Sequence, residues 1–129
     1  TATHARAAQA AREAFGGIDS WVNDAGAFIY GRVDEVEEAD QRRLFDVTYW
    51  GTLHGSLEAL RGFGPQGGAL VNIGSVLSER TIALQGPYCA AKFAVKALTA
   101  ALRMEAAMKG QDVSVTLIKP AAIDTPYME

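Results

Sequence analysis

The chain has 129 residues, 49% of them hydrophobic, with 12 Lys and Arg against 15 Asp and Glu for a formal net charge of -3. That is about one domain's worth, long enough for a real core, and its mild acidity offers no footprint for nucleic acid or an anionic membrane. One cysteine, Cys89, excludes an internal disulfide and suits a reducing compartment, no apolar run is long enough to cross a bilayer, and no amino-terminal signal pattern is present, so a cytoplasmic protein is expected.

Residues 3–15 read as an Ala-rich helix ended by Gly16-Gly17 in the manner of a glycine cap. Ile18 to Asn23 reads as a short strand closed by Asp24-Ala25-Gly26. A polar loop leads into a long helical stretch from about Val36 to Arg61, acidic first (Glu37, Glu38, Asp40) and basic later (Arg42, Arg43), as the helix dipole prefers. Trp50, Leu53, Leu57 and Leu60 recur at helical spacing and read as core or subunit contact. His54 lies on the same helix, and with His4 the only other histidine there is no metal constellation.

Gly62-Phe63-Gly64-Pro65-Gln66-Gly67 spells Gly-x-Gly-x-x-Gly. The dinucleotide fingerprint has that meaning only after a strand and at the start of a helix; here it follows a helix and precedes a strand, Ala69 to Gly74, and reads as a loop. Ser75 ends that strand. A helix from Pro87 to Met108 follows, then a third strand, Val113 to Ile118. Strands alternating with helices imply parallel pairing with right-handed crossovers, and with no linker or repeat, residues 1–129 read as a single domain.

The chemistry is carried by Ser75, Tyr88 and Lys92. Tyr88 and Lys92 are four apart, so a helix sets them on one face. A free tyrosine, with a pKa of about 10, is a poor proton donor and acceptor near neutrality. A neighbouring cation lowers that value, and Gly86-Pro87 places Tyr88 at a helix start, where the dipole pushes the same way. Ser75 stands at the carboxyl end of a strand, where ligands sit in open α/β sheets, and its hydroxyl can bond a carbonyl oxygen that Tyr88 protonates. Cys89, beside Tyr88, has no Cys or His cluster around it and reads as helix packing. Val76, Leu77 and Ile82, between Ser75 and Tyr88, are candidates for lining a substrate pocket.

A serine thirteen positions before Tyr-x-x-x-Lys resembles the short-chain dehydrogenase/reductase family. Asp19-Ser20-Trp21-Val22-Asn23-Asp24-Ala25-Gly26 resembles that family's Asp-x-Leu-Val-Asn-Asn-Ala-Gly. Pro120-Ala121-Ala122-Ile123-Asp124-Thr125 resembles its Pro-Gly-x-Val-x-Thr, and Phe45-Asp46-Val47-Thr48-Tyr49-Trp50-Gly51 its Val-Asn-x-x-Gly helix. The resemblance implies a Rossmann-like, doubly wound parallel sheet with helices on both faces. It implies an oxidoreductase interconverting an alcohol and a ketone or aldehyde with NAD or NADP, without metal, as a homodimer or homotetramer. It assigns Ser75, Tyr88 and Lys92 to catalysis. Asn23, Ala25, Gly26, Tyr88, Lys92, Pro120, Ile123 and Thr125 are assigned to the cofactor.

Three departures accompany the likeness. Thr48 stands where the family has an asparagine that helps hold a water in its proton relay; Asp24 exchanges two N–H donors for a carboxylate; and Ala121 replaces a glycine. Relatives begin with a Gly-rich phosphate turn, so two βα units, roughly 60 residues, are expected to be missing in front, and the substrate lid behind. The expected domain is thus incomplete at both ends and inactive if it is the whole molecule. Two other classes use some of the same residues. A hydrolase built on Ser75 and His54 lacks the Gly-x-Ser-x-Gly elbow and leaves Tyr88 and Lys92 without a role. A non-catalytic nucleotide-sensing or assembly protein on the same fold is the alternative that Thr48 and the missing phosphate turn favour.

Overall fold

A computed structural model describes residues 2–123. Helix α1 (Ala2–Phe15) runs one residue further toward the amino end than its composition suggests. It stops where expected: Gly16 turns left-handed at φ 81° and its N–H donates to the Arg12 carbonyl at 2.9 Å, a conformation glycine enters without a Cβ clash. Strand β1 (Ser20–Asn23) begins two residues later than the apolar run beginning at Ile18.

The long helical stretch is continuous but not uniform. It consists of α2 (Glu38–Phe45), a π-helical turn over Asp46–Trp50, and α3 (Gly51–Gly62), with right-handed helical dihedrals at both junctions. Thr48 lies in the wide turn, fully buried, and its carbonyl accepts the Thr52 hydroxyl at 2.7 Å. Such bulges cluster at functional sites. Its one extra residue displaces the apolar stripe by one position, about 100°, and the short, mixed stretch on either side does not make that skip legible in the sequence.

Strand β2 (Gly68–Ile73), helix α4 (Gly86–Met108) and strand β3 (Val113–Ile118) complete the described elements. The three strands form one parallel sheet in the order β1-β2-β3, with Asn23 opposite Asn72 and Ile73 opposite Ile118. Gly62 to Gly67 is a turn, not a phosphate cradle: Gly64 and Gly67 pair across it, and Gly67 has φ 77°. A Cβ on Gly67 would collide with the Asp112 carbonyl, so this glycine lets the chain enter β2 beside the start of β3.

Alternation along the strands decides where the helices sit. Trp21, Leu70 and Val115 face α3 and α4 and pack with Ala59, Leu60, Phe63, Leu98 and Leu102 into the hydrophobic core. Helix α1 packs on α3. The opposite face of the sheet carries Val22 and Ile118, 57% and 46% exposed. The two-faced covering that the resemblance implies is therefore present, among the described residues, on one face.

The helix-side face is not wholly apolar. Asn23 and Asn72 are buried side by side, with Asn23 Nδ2 donating to Asn72 Oδ1 at 2.8 Å and to Ser56 Oγ at 3.1 Å. Asn72 Nδ2 donates to Thr99 Oγ1 at 3.0 Å, and Trp21 Nε1 donates to Asn23 Oδ1 at 2.8 Å. Two strands and two helices are thus linked through one satisfied polar cluster, the form in which buried amides rigidify a core.

Candidate active site

Parallel pairing brings the carboxyl ends of all three strands to one edge of the sheet, and the backbone extends that alignment past the strands. The Gly74 N–H donates to the Ile118 carbonyl at 2.7 Å and the Val76 N–H to the Pro120 carbonyl at 3.0 Å, which sets Ser75 beside the segment that follows β3. Ser75 is buried in extended backbone and caps a short 3₁₀ turn, Val76–Ser78. Its Oγ accepts the Leu77 N–H at 3.1 Å, and its carbonyl accepts the Ser78 hydroxyl at 2.6 Å. With that lone pair occupied, the Ser75 hydroxyl hydrogen is directed elsewhere.

Helix α4 starts at Gly86, with Pro87 in its first two positions, where a missing N–H costs nothing. Tyr88 is therefore in the first turn, half-buried, its ring edge-on to Phe28 at a centroid distance of 5.3 Å. One turn on, Lys92 is 5% exposed. Its Nζ donates to the Ile73 carbonyl at 2.9 Å and lies 5.8 Å from the centroid of the Tyr88 ring, close enough for a cation–π contact. Burial pushes the Lys92 ammonium below the usual lysine range, against the pull of the Asp24 charge. A single side chain thus joins Tyr88 to the end of the strand that delivers Ser75. The loop between them holds Leu84 at φ 66°, a left-handed conformation uncommon for leucine, with its carbonyl accepting the Gly31 N–H at 2.8 Å.

The turn after β1 reaches the same place. Gly26 passes so close to Lys92 that a Cβ would lie 3.7 Å from Nζ. The Ala27 N–H donates to Thr48 Oγ1 at 3.1 Å, so the threonine hydroxyl ties this turn to the π-helical segment. The Asn23 side chain points away, into the buried cluster, and leaves only its backbone to a cofactor. Asn23 and Ala25 also line a cavity of about 150 Å³ with His4, Trp21, Asp24 and Thr52. Ser75, Tyr88 and Lys92 do not line it. His4 Nδ1 is buried there without a hydrogen-bond partner among the described residues. Pro120 is half-buried next to Val76, Ile123 is 66% exposed, and Thr125 lies outside the described residues. Val76 and Ile82 are exposed and Leu77 half-buried on the loop between Ser75 and Tyr88.

No group of three His, Cys, Asp or Glu side chains that could hold a metal occurs among the described residues, and no helix among them is long and apolar enough to cross a membrane. Cys89 is unpaired and fully buried in α4.

The family model described as short chain dehydrogenase matches residues 1–129. The chain belongs to that family. Among its short-chain dehydrogenase relatives, the uncharacterized oxidoreductase YxnA of Bacillus subtilis is 40% identical over 126 residues, covering 96% of this chain and 35% of the relative. The 3beta-hydroxysteroid dehydrogenase of Mediterraneibacter gnavus is 34% identical over 119 residues, 92% of this chain and 42% of that protein. A short-chain dehydrogenase/reductase from Burkholderia phymatum, solved in complex with NAD, superposes with a TM-score of 0.92 at 30% identity over 95% of this chain and 44% of its own. The chain thus spans less than half the length of these relatives, and its parallel sheet with flanking helices is the corresponding part of their Rossmann-like fold.

Proposed function

We propose that this short-chain dehydrogenase works as an NAD(P)-dependent oxidoreductase that interconverts a secondary alcohol and a ketone, or a primary alcohol and an aldehyde, with Tyr88 as acid/base. The observation that carries the reading is the position of the Lys92 ammonium, bonded to the Ile73 carbonyl at 2.9 Å and 5.8 Å from the Tyr88 ring centroid. A buried lysine costs desolvation, and one spent in this way points to work at the tyrosine.

The donor set suits the nicotinamide-ribose end of the cofactor. Lys92 has ammonium hydrogens beyond the one given to Ile73. Gly26 presents bare backbone beside it, and Ser75 and Tyr88 supply hydroxyls at the same edge of the sheet. We assign Tyr88, Lys92, Gly26, Ala25, Pro120, Ile123, Thr125 and the Asn23 backbone to cofactor contact. When bound, the cofactor supplies or accepts the hydride. In the reducing direction Tyr88 gives its hydroxyl proton to the carbonyl oxygen while the Ser75 hydroxyl donates a hydrogen bond to that oxygen; in the oxidising direction Tyr88 receives the alcohol proton. Lys92 opposes the negative charge that develops on the Tyr88 oxygen. Because Ser75 Oγ already accepts from Leu77, one of its lone pairs is taken before substrate arrives and the directions left to its hydrogen are fewer, which favours donation to the substrate oxygen.

We also read residues 1–129 as one domain, supported by the core that the sheet shares with α3 and α4. A homodimer or homotetramer in the cytoplasm completes the reading, supported by the single unpaired cysteine and by exposed Trp50, Phe93, Met104 and Met108 on the helices. The test is cofactor-linked turnover of the full polypeptide across secondary alcohols and ketones. Ser75→Ala is expected to lower kcat by about 10²–10³-fold with cofactor binding retained. A Ser75→Ala protein as active as the wild type, or a wild type inert on the whole panel while it binds NAD(P), would overturn the reading; the latter result would favour a nucleotide sensor on this fold.

A further inference from the structure

We propose that Glu79 is a positioning residue whose carboxylate ties the Ser75 loop to α4 on one side and to the chain after β3 on the other, and so sets where the Ser75 hydroxyl stands. The inference rests on the reading of Ser75, Tyr88 and Lys92 as the reacting groups.

Glu79 directly follows the 3₁₀ turn that Ser75 caps, and its N–H closes that turn on the Val76 carbonyl at 3.1 Å. Its two carboxylate oxygens go to different places. Oε2 accepts from Lys96 Nζ at 2.6 Å and Oε1 from Lys119 Nζ at 2.9 Å. Lys96 is one helical turn beyond Lys92 on α4, and Lys119 immediately precedes Pro120. Glu79 is therefore a point at which the loop of Ser75, the helix of Tyr88 and Lys92, and the segment entering Pro120 meet.

All three side chains are 40–44% exposed, so neither ion pair contributes much to stability. Their effect is geometric. Between Ser78 and Gly86 the chain has no regular structure, and the backbone bonds that join the Ser75 turn to the chain around the end of β3, from Gly74 to Ile118 and from Val76 to Pro120, both lie at its amino-terminal end. Without an anchor at its carboxyl-terminal end the turn can rock about those bonds against α4, and displacements near 1 Å at a reacting group cost large factors in rate. A carboxylate holding both lysines fixes the turn at its other end. Glutamine has one carbonyl oxygen and no charge, so it cannot accept from both ammoniums with comparable strength.

The test is amide hydrogen exchange at Val76 and Leu77, read beside kcat and the cofactor KM, in the full polypeptide and its Glu79→Gln variant. The Leu77 N–H is bonded to Ser75 Oγ itself, so its exchange reports on the hydroxyl directly. Exchange at both amides is expected to accelerate about tenfold, with kcat down about fivefold and the cofactor KM within about twofold. Reversing the charges, with Glu79→Lys, Lys96→Glu and Lys119→Glu together, should restore protection and turnover. Exchange unchanged in Glu79→Gln overturns the proposal, as does faster exchange with kcat unchanged. If the wild type shows no turnover, the proposed reaction fails, and the exchange result alone still decides whether Glu79 fixes the loop.

Discussion

Asn72→Ala should be among the most damaging single truncations in this protein, though no step of the chemistry is asked of Asn72. The side chain is fully buried; its Oδ1 accepts from Asn23 Nδ2 at 2.8 Å and its Nδ2 donates to Thr99 Oγ1 at 3.0 Å. Removing these two well-formed bonds costs about 1 kcal/mol each. The third contact, from Ser56 Oγ at 3.4 Å, is too long to count for much. The groups left behind are only partly stranded, because Asn23 Nδ2 keeps Ser56 Oγ at 3.1 Å and Thr99 Oγ1 still donates to the Val95 carbonyl at 2.7 Å. Their desolvation penalty is therefore at the low end, about 1 kcal/mol. The sum is about 3 kcal/mol, a large share of the roughly 5–15 kcal/mol that holds a domain folded. Urea unfolding followed by circular dichroism measures it: with m of about 1–3 kcal/mol per molar, the midpoint should fall by about 1–3 M. In a double-mutant cycle, Asn72→Ala and Thr99→Val should couple by about 1 kcal/mol. A midpoint within about 0.3 M of wild type, or strictly additive effects, would refute the reasoning.

Other outcomes follow from single contacts. A Cβ on Gly55 of α3 would collide with the Asn23 side-chain oxygen and crowd Trp21, so Gly55→Ala should destabilise by about 3 kcal/mol despite its better helix propensity, checked by the same unfolding curves. Burial lowers the Lys92 pKa below the ordinary lysine value of 10.5, so the native state binds fewer protons than the unfolded chain between the two values, and stability should rise as pH increases through that window. The unfolding free energy of wild type minus that of Lys92→Met, followed from pH 8 toward 10.5, should therefore increase; a flat difference would contradict it. Glu79 acts in the same sense at acid pH. Its bonds to Lys96 and then Lys119 lower its pKa from 4.5, so its contribution is present above 4.5 and lost as pH falls through the lowered value. Wild type and Glu79→Gln should converge in stability below that point, and a gap that persists there would count against the pairing.

The sequence made the frame legible because the strands are short apolar runs bounded by Gly, Asp and Ser, and because Gly16 and Gly86-Pro87 punctuate two helices. The core of the candidate site was legible for a different reason. A helical i,i+4 spacing fixes Tyr88 beside Lys92 wherever the helix lies, and the strand end fixes Ser75. Features that depend on long-range contact were hidden. Asn23 and Asn72 each interrupt an apolar strand, which could have signalled a buried polar pair, but only the register β1 to β2 makes them neighbours. With the Asn23 amide bonded to Ser56 and Asn72, the cofactor contact proposed for Asn23 is one for its backbone. Thr48 stands out in sequence as a departure from the family pattern, yet its bond to the Ala27 N–H needs the π-helical turn. Glu79 and its two lysines look, in sequence, like ordinary surface charge; they are 17 and 40 positions apart.

The most direct test of the central claim is Tyr88→Phe, measured for turnover of a responsive alcohol or ketone and, separately, for NAD(P)H binding by fluorescence titration. Phenylalanine keeps the ring that packs on Phe28 and beside Lys92, and removes only the hydroxyl group. Binding within about twofold of wild type with kcat lower by at least about 10²-fold, in line with loss of a general acid, is the predicted result. Turnover retained in Tyr88→Phe would contradict the assignment of Tyr88 as the acid/base.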